Sequence, residues 1–133
     1  MSSASIDIRF DGRKVRYEPG DMLSGEFVIR DVRRDEIRAV ELSVLWYTDG
    51  KGDQDLHVHH FRRWSSEQGD WIDPRRPVRF ETELPASPLS YDGLIVRVQW
   101  CVRVRLFLTD GRDELVEVPF RLGGVARARV KVR

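Results

Sequence analysis

Between Leu94 and Leu108 every second residue is apolar: Leu94, Val96, Val98, Trp100, Val102, Val104, Leu106 and Leu108 fall on one side of an extended chain. Arg97, Gln99, Cys101, Arg103 and Arg105 fall on the other. A helix would scatter these residues around its circumference, whereas a strand gathers them into one apolar and one polar face. Each apolar side chain contributes roughly 1.5–3 kcal/mol when buried. The register therefore enforces itself, because a slip of one residue would bury the arginines instead. A chain built around this strand has to supply a second layer for its apolar face.

Period-two alternation recurs elsewhere. Ile6, Ile8 and Phe10 alternate with Ser5, Asp7 and Arg9, and after Asp11-Gly12 a second short strand begins at Val15 and Tyr17. Pro19 fixes φ and Gly20 tolerates positive φ, which makes a turn before a strand with Leu23, Gly25, Phe27 and Ile29 on one face. A charged connector, Arg30 to Glu36, precedes a strand with Val40, Leu42, Val44 and Trp46 inward and Glu41 and Ser43 outward. Past the loop from Asp49 to Asp53, an extended stretch runs from His57 to Trp64. A polar loop from Ser65 to Asp73, then Pro74 and Pro77, leads into Val78, Phe80, Thr82 and Leu84. Asp110-Gly111 has the composition of a two-residue type I′ turn, returning the chain through Val116, Val118, Phe120 and Leu122. Gly123-Gly124 separates these from a last alternation of Ala126, Ala128, Val130 and Val132. The expected fold is all-β, with about nine strands and no helix. Antiparallel strands with one apolar face each pack as two sheets, and the long, proline-bearing connections favour an immunoglobulin-like β-sandwich over a closed barrel.

Composition bounds the function. A length of 133 residues predicts a single domain over 1–133. An apolar fraction of 41% with 34% charged residues excludes disorder, and no apolar run is long enough to expect an integral membrane segment. Met-Ser-Ser-Ala-Ser at the start has neither the basic nor the apolar part of a secretion signal, and the lone Cys101 cannot close an internal disulfide; both favour the cytoplasm. A pI near 8.0 without any nucleic-acid motif argues against DNA or RNA as partner. The net charge of +1 hides an asymmetry: Arg121, Arg127, Arg129, Lys131 and Arg133 gather at one end, and Asp49, Asp53 and Asp55 in one loop.

No catalytic group is expected. Ser65, Ser66, Ser87 and Ser90 lie in no nucleophile elbow, no glycine-rich phosphate loop is present, and nothing beside Cys101 would lower its pKa. His57, His59 and His60, downstream of Asp53 and Asp55, are candidate metal ligands, but their spacing matches no established site, and no metal or cofactor is expected. Trp46, Tyr47, Trp64, Trp71 and Tyr91 define an alternative, a carbohydrate-binding sandwich with an aromatic platform. The outward ladder of Arg97, Arg103 and Arg105, with Arg127 and Arg129, is the candidate protein-binding set. Arginine forks suit an acidic peptide, or the Asp49 to Asp55 loop of a second copy in a homo-oligomer. The same ladder could equally pair with Glu114 and Glu117 across the hairpin.

Two stretches resemble the arrestin family. Tyr17-Glu18-Pro19-Gly20-Asp21 followed by Leu23-Ser24-Gly25-Glu26-Phe27 and Ile37-Arg38-Ala39-Val40-Glu41-Leu42 is similar to the opening of the arrestin N-domain. Phe80 to Leu84, Pro85, Pro88, Leu89-Ser90-Tyr91-Asp92-Gly93, Ile95, Val98 and Trp100 to Val104 resemble its second half. The resemblance covers residues 5–122 and implies a non-enzymatic adaptor or scaffold; bacterial sporulation-control and retromer-subunit proteins share the pattern. It departs from the usual tandem of two sandwiches, and no residue matches the phosphate-sensing lysines or the buried ionic core of the receptor-binding members.

Overall fold

The computed structural model describes residues 4–50, 52 and 54–123. The expected last strand, Ala126 to Val132, lies outside them together with Arg127 and Arg129. The strands are β1 (Ser5–Phe10), β2 (Arg16–Tyr17), β3 (Met22–Arg30), β4 (Ile37–Gly50), β5 (Leu56–Ser65), β6 (Val78–Glu83), β7 (Tyr91–Asp92), β8 (Val96–Leu108) and β9 (Asp113–Leu122). Short 3-10 turns are the only helical elements among the described residues. One sheet has the order β1-β3-β6, the other β2-β9-β8-β4-β5, with β7 also paired to β8. Every pairing is antiparallel except β2 with β9.

The spine is the β4–β8 ladder, from Ile37 opposite Leu108 to Gly50 opposite Val96. Paired residues point to the same side, so Val40, Leu42 and Val44 share the inner face with Leu106, Val104 and Val102. All six are fully buried. Leu23, Phe27 and Ile29 of β3 close over them from the smaller sheet, as the alternation requires.

Three local readings need correction. The apolar face of β8 does not begin at Leu94: Tyr91 and Asp92 fold back onto Val98 and Arg97, which leaves Leu94 and Ile95 exposed at a hairpin tip. The Asp110-Gly111 turn is not a two-residue type I′ turn; the loop spans Thr109 to Arg112 and only Gly111 has positive φ. The count of nine strands matches the expectation, yet one of the nine is β7, a segment read from sequence as loop.

The two distant motifs bond to one another. Gly20, at φ 86°, donates its N–H to the Leu84 carbonyl at 3.0 Å, and Leu84 donates to the Asp21 carbonyl at 2.9 Å. The Trp100 indole N–H donates to the Pro88 carbonyl, and Leu122 and Ser90 exchange two hydrogen bonds of 2.8 Å. Gly25 sits between Phe10 and Phe80, where a Cβ would lie 2.3 Å from the Arg9 carbonyl oxygen and 2.9 Å from the Phe80 ring. Gly25→Ala is expected to cost about 1–3 kcal/mol through forced displacement of the β1 backbone. Chemical denaturation measures it, and an unchanged midpoint would contradict the close approach.

Asp11 ties the smaller sheet together, accepting two hydrogen bonds from the Arg79 guanidinium of β6 at 2.8 and 2.6 Å and one from the Ser24 hydroxyl of β3 at 2.8 Å. The Arg79 fork first, and Ser24 second, hold its carboxyl down at about 2 against an ordinary 3.8. Folding thus favours the ionised form. The contribution of this clamp to stability is complete above roughly pH 4 and is lost as pH falls through about 2. Arg79→Gln is expected to return the Asp11 midpoint toward 3.8, read by carboxyl carbon NMR titration.

Candidate protein-interaction face

The face of the larger sheet that points away from the smaller one has a pattern of its own. Val58, Leu45, Cys101 and Pro119 stand in register across β5, β4, β8 and β9, an apolar row over four strands on a side that no layer of the described residues covers. Leu45 and Cys101 are nonetheless 0% and 3% exposed. Their cover comes from neighbouring rows. Phe61, Ser43, Arg103 and Glu117 form one of these, and Arg103 donates from Nε to Glu117 at 2.6 Å. Leu56, Tyr47 and Gln99 form the other. Burial was read from sequence for only one face of β4; Leu45 and Cys101 make the centre of the second face apolar as well.

The predicted arginine ladder lies on this outer face, already engaged. Arg97 pairs with Asp49, Arg103 with Glu117, and Arg105 with Asp113 at 2.7 Å. The across-hairpin alternative is thus right for Glu117, whereas Arg105 takes Asp113 in place of Glu114. Arg63 pairs with Glu41, and the Arg63 and Arg105 guanidiniums sit 5.7 and 5.0 Å from the centre of the Phe107 ring. These arginines neutralise neighbouring acids and roof apolar side chains. What they leave uncovered is the β5 margin: Leu56, Val58 and Phe61 are 45%, 52% and 50% exposed. Among the described residues β5 is the outermost strand of its sheet; it carries no acidic residue and holds Arg62 and Arg63 with the three histidines.

The histidines are not arranged around a common point. A bulge between Val44 and Leu45 puts His60 opposite Val44 and Val58 opposite Leu45, which leaves His59 as the extra residue. His57 and His59 both face inward all the same, beside the paired Trp46 and Trp100 respectively. His57 stacks on Trp46 at 4.4 Å, while His59 Nε2 lies 2.8 Å from the Glu83 carbonyl oxygen. His60 Nε2 is buried without a partner, and burial, then the charges of His59 and Arg62, push its pKa below the ordinary histidine value. Among the described residues no three His, Cys, Asp or Glu side chains group closely enough to hold a metal ion.

The aromatic residues do not assemble into one platform. Trp46 and Trp64 pack against the core, Trp64 edge-on to Phe27 at 5.7 Å, so Trp64 is not the exposed ring expected of it. Tyr47 belongs to the outer face. Trp71, exposed and covered by Arg34 at 3.7 Å, sits in a hollow with Ile37 and Thr109, at the end of the β4–β8 ladder opposite to Tyr91. Burial pushes the Cys101 thiol up to about 12, which leaves it protonated and unreactive near neutral pH.

A similar fold is found in a solved structure. The chain is similar to Spo0M, a sporulation control protein from Bacillus subtilis, at a TM-score of 0.66 and 18% sequence identity, over 94% of this chain and 51% of that one. It therefore spans about half the length of that protein. No protein-family model and no curated protein matches the chain by sequence. The fold is the arrestin-like β-sandwich that the two motifs resemble. No helix among the described residues is long and apolar enough to cross a membrane.

Arg103→Glu is expected to cost about 1–3 kcal/mol, because it sets two carboxylates side by side over Leu45 and Cys101. Adding Glu117→Arg should restore most of the loss; a double variant no more stable than the single would show that the pair does not act as this cover.

Proposed function

We propose that this protein is a non-enzymatic interaction module, an arrestin-like adaptor or scaffold that works in the cytoplasm and binds other proteins through the outer face of its larger sheet. The observation that carries the reading is the half-exposed stripe of Leu56, Val58 and Phe61 along an outermost strand, continuous with the apolar row through Leu45, Cys101 and Pro119. Apolar side chains in register at a strand margin suit a partner that adds an extended segment or lays a flat surface there. The basic character of β5 favours an acidic partner segment. It disfavours self-pairing of two β5 strands, so a homo-oligomer would have to use the acidic Asp49 to Asp55 loop instead.

Arg97, Arg103 and Arg105 have a double role in this proposal: they hold the face together through their acids and offer their remaining N–H groups to a ligand. Support for a regulatory rather than a catalytic role comes from the solved neighbour, a sporulation control protein. The unreactive Cys101 and the scattered histidines agree with it. Val58→Asp with Phe61→Asp is expected to leave the melting temperature within a few degrees of the parent and to abolish recovery of the partner by cross-linking in the source cells. Undiminished recovery would move the interaction off this face.

A further inference from the structure

Arg16 and Arg121 stand opposite each other in the parallel pair β2–β9, so both side chains leave the sheet from neighbouring positions on the outer face. Like charges opposed across strands destabilise a sheet, and functional sites are where proteins break such local rules. Elsewhere the chain relieves such charges. Arg63, Arg97, Arg103 and Arg105 each reach a carboxylate, and Arg34 and Arg62 lie over Trp71 and Trp64. Among the described residues Arg16 and Arg121 reach neither an acid nor an aromatic ring.

Their backbones are firmly placed. Arg121 donates its N–H to the Val15 carbonyl at 2.8 Å and Gly123 donates to the Tyr17 carbonyl at 2.7 Å. Beneath them Tyr17 is buried edge-on to Phe120 at 5.6 Å and to Phe10 at 6.4 Å. The two side chains open onto a cleft of about 520 Å³ between β2, β7, β8 and β9, with Gln99 and Pro119 as floor and Val15 and Tyr91, both more than half exposed, as apolar walls. Asp92 is the one acid among the residues lining it. Arg97, also at the rim, is already held by Asp49.

We infer that this cleft binds a carboxylate of an acidic, extended peptide, with Arg16 and Arg121 forking onto the carboxylate and Val15, Tyr91 and Pro119 receiving the aliphatic part of the chain. Paired guanidiniums match the planar carboxylate with parallel N–H···O bonds. The apolar walls add contacts that a bare inorganic anion cannot use. Asp92 in the cleft, and Asp49 and Asp55 at the same end of the sandwich, repel a dianion or an anionic bilayer more than a single carboxylate. The proposal rests on the reading of the outer face as protein-binding only for the peptide nature of the ligand.

The test is a titration of the full chain, followed through the arginine Nε–H NMR signals, with a blocked peptide of alternating glutamate and leucine. Inorganic phosphate, a glutamine analogue of the peptide and phosphatidylserine vesicles are titrated in parallel. Saturable shifts at Arg16 and Arg121 are expected with the acidic peptide alone. Arg16→Gln or Arg121→Gln should weaken it at least about tenfold and melt no lower than the parent, since each removes one of two facing like charges. Arg13→Gln, which removes an exposed arginine outside the cleft, should leave it unchanged. Absence of saturation, equal weakening by Arg13→Gln, or tighter binding of phosphate or vesicles would overturn the proposal. If the peptide fails to bind while Val58→Asp with Phe61→Asp still costs the partner, the cleft falls and the β5 stripe stands.

Discussion

Everything in this sandwich is set out from the antiparallel ladder between β4 and β8. Because paired residues point to the same side, one register decides at once what enters the core and what faces outward. The inner consequence is a dry layer of Val, Leu and Trp side chains against β3. The outer consequence is less usual: the same register aligns Leu45 with Cys101, Val58 and Pro119 on the side that faces away from the smaller sheet. Burial there depends on what stands beside the row, and arginine–carboxylate pairs supply part of it. The charged residues of the outer face thus have a packing role, because a guanidinium offers a flat apolar surface as well as its donors.

The loops are tied to that ladder by hydrogen bonds between groups far apart in the chain. Gly20 and Asp21 exchange backbone hydrogen bonds with Leu84, Trp100 reaches the Pro88 carbonyl, and Ser90 takes the place beside Leu122 that a continuing β9 pairing would have used. These contacts place β7 next to β8, while Arg121 and Gly123 hold β2 against β9 through the Val15 and Tyr17 carbonyls. The cleft at Arg16 and Arg121 exists because β9 leaves β8 at this point and β7 steps in. A local irregularity in pairing, and not an added domain or insertion, produces the concave part of the surface.

Much of this was legible in the residue order. Alternation located β1, β3, β4, β6, β8 and β9 and their inward faces, since the period-two signal is strong wherever one face is buried. It failed at Leu94 and Ile95 because a hairpin tip can carry apolar residues without burying them, and alternation says nothing about where a turn intervenes. It missed the bulge at His59, which adds a residue and turns His60 to the side of Val44. Alternation puts the arginine ladder on the correct face, yet of its three acid partners the hairpin predicts only Glu117; Asp113 and Asp49 follow from the register and from side-chain reach. The apolar outer row was missed because Leu45, Cys101 and Pro119 each share their face of the strand with more polar residues, Ser43, Arg103 and Glu117 among them; only the alignment of four strands makes them a row.

By itself the sequence determined a two-layer β fold, the inward residues of its main strands and the two motifs that resemble arrestins. Those are consequences of side-chain alternation and of proline and glycine chemistry, which act within a few residues. The tertiary structure alone decided which acids neutralise which arginines, that Leu45 and Cys101 would be buried on an open face, and that Arg16 and Arg121 would be left facing each other. Such outcomes depend on strand order and register between segments as much as a hundred residues apart, and no local preference encodes that distance.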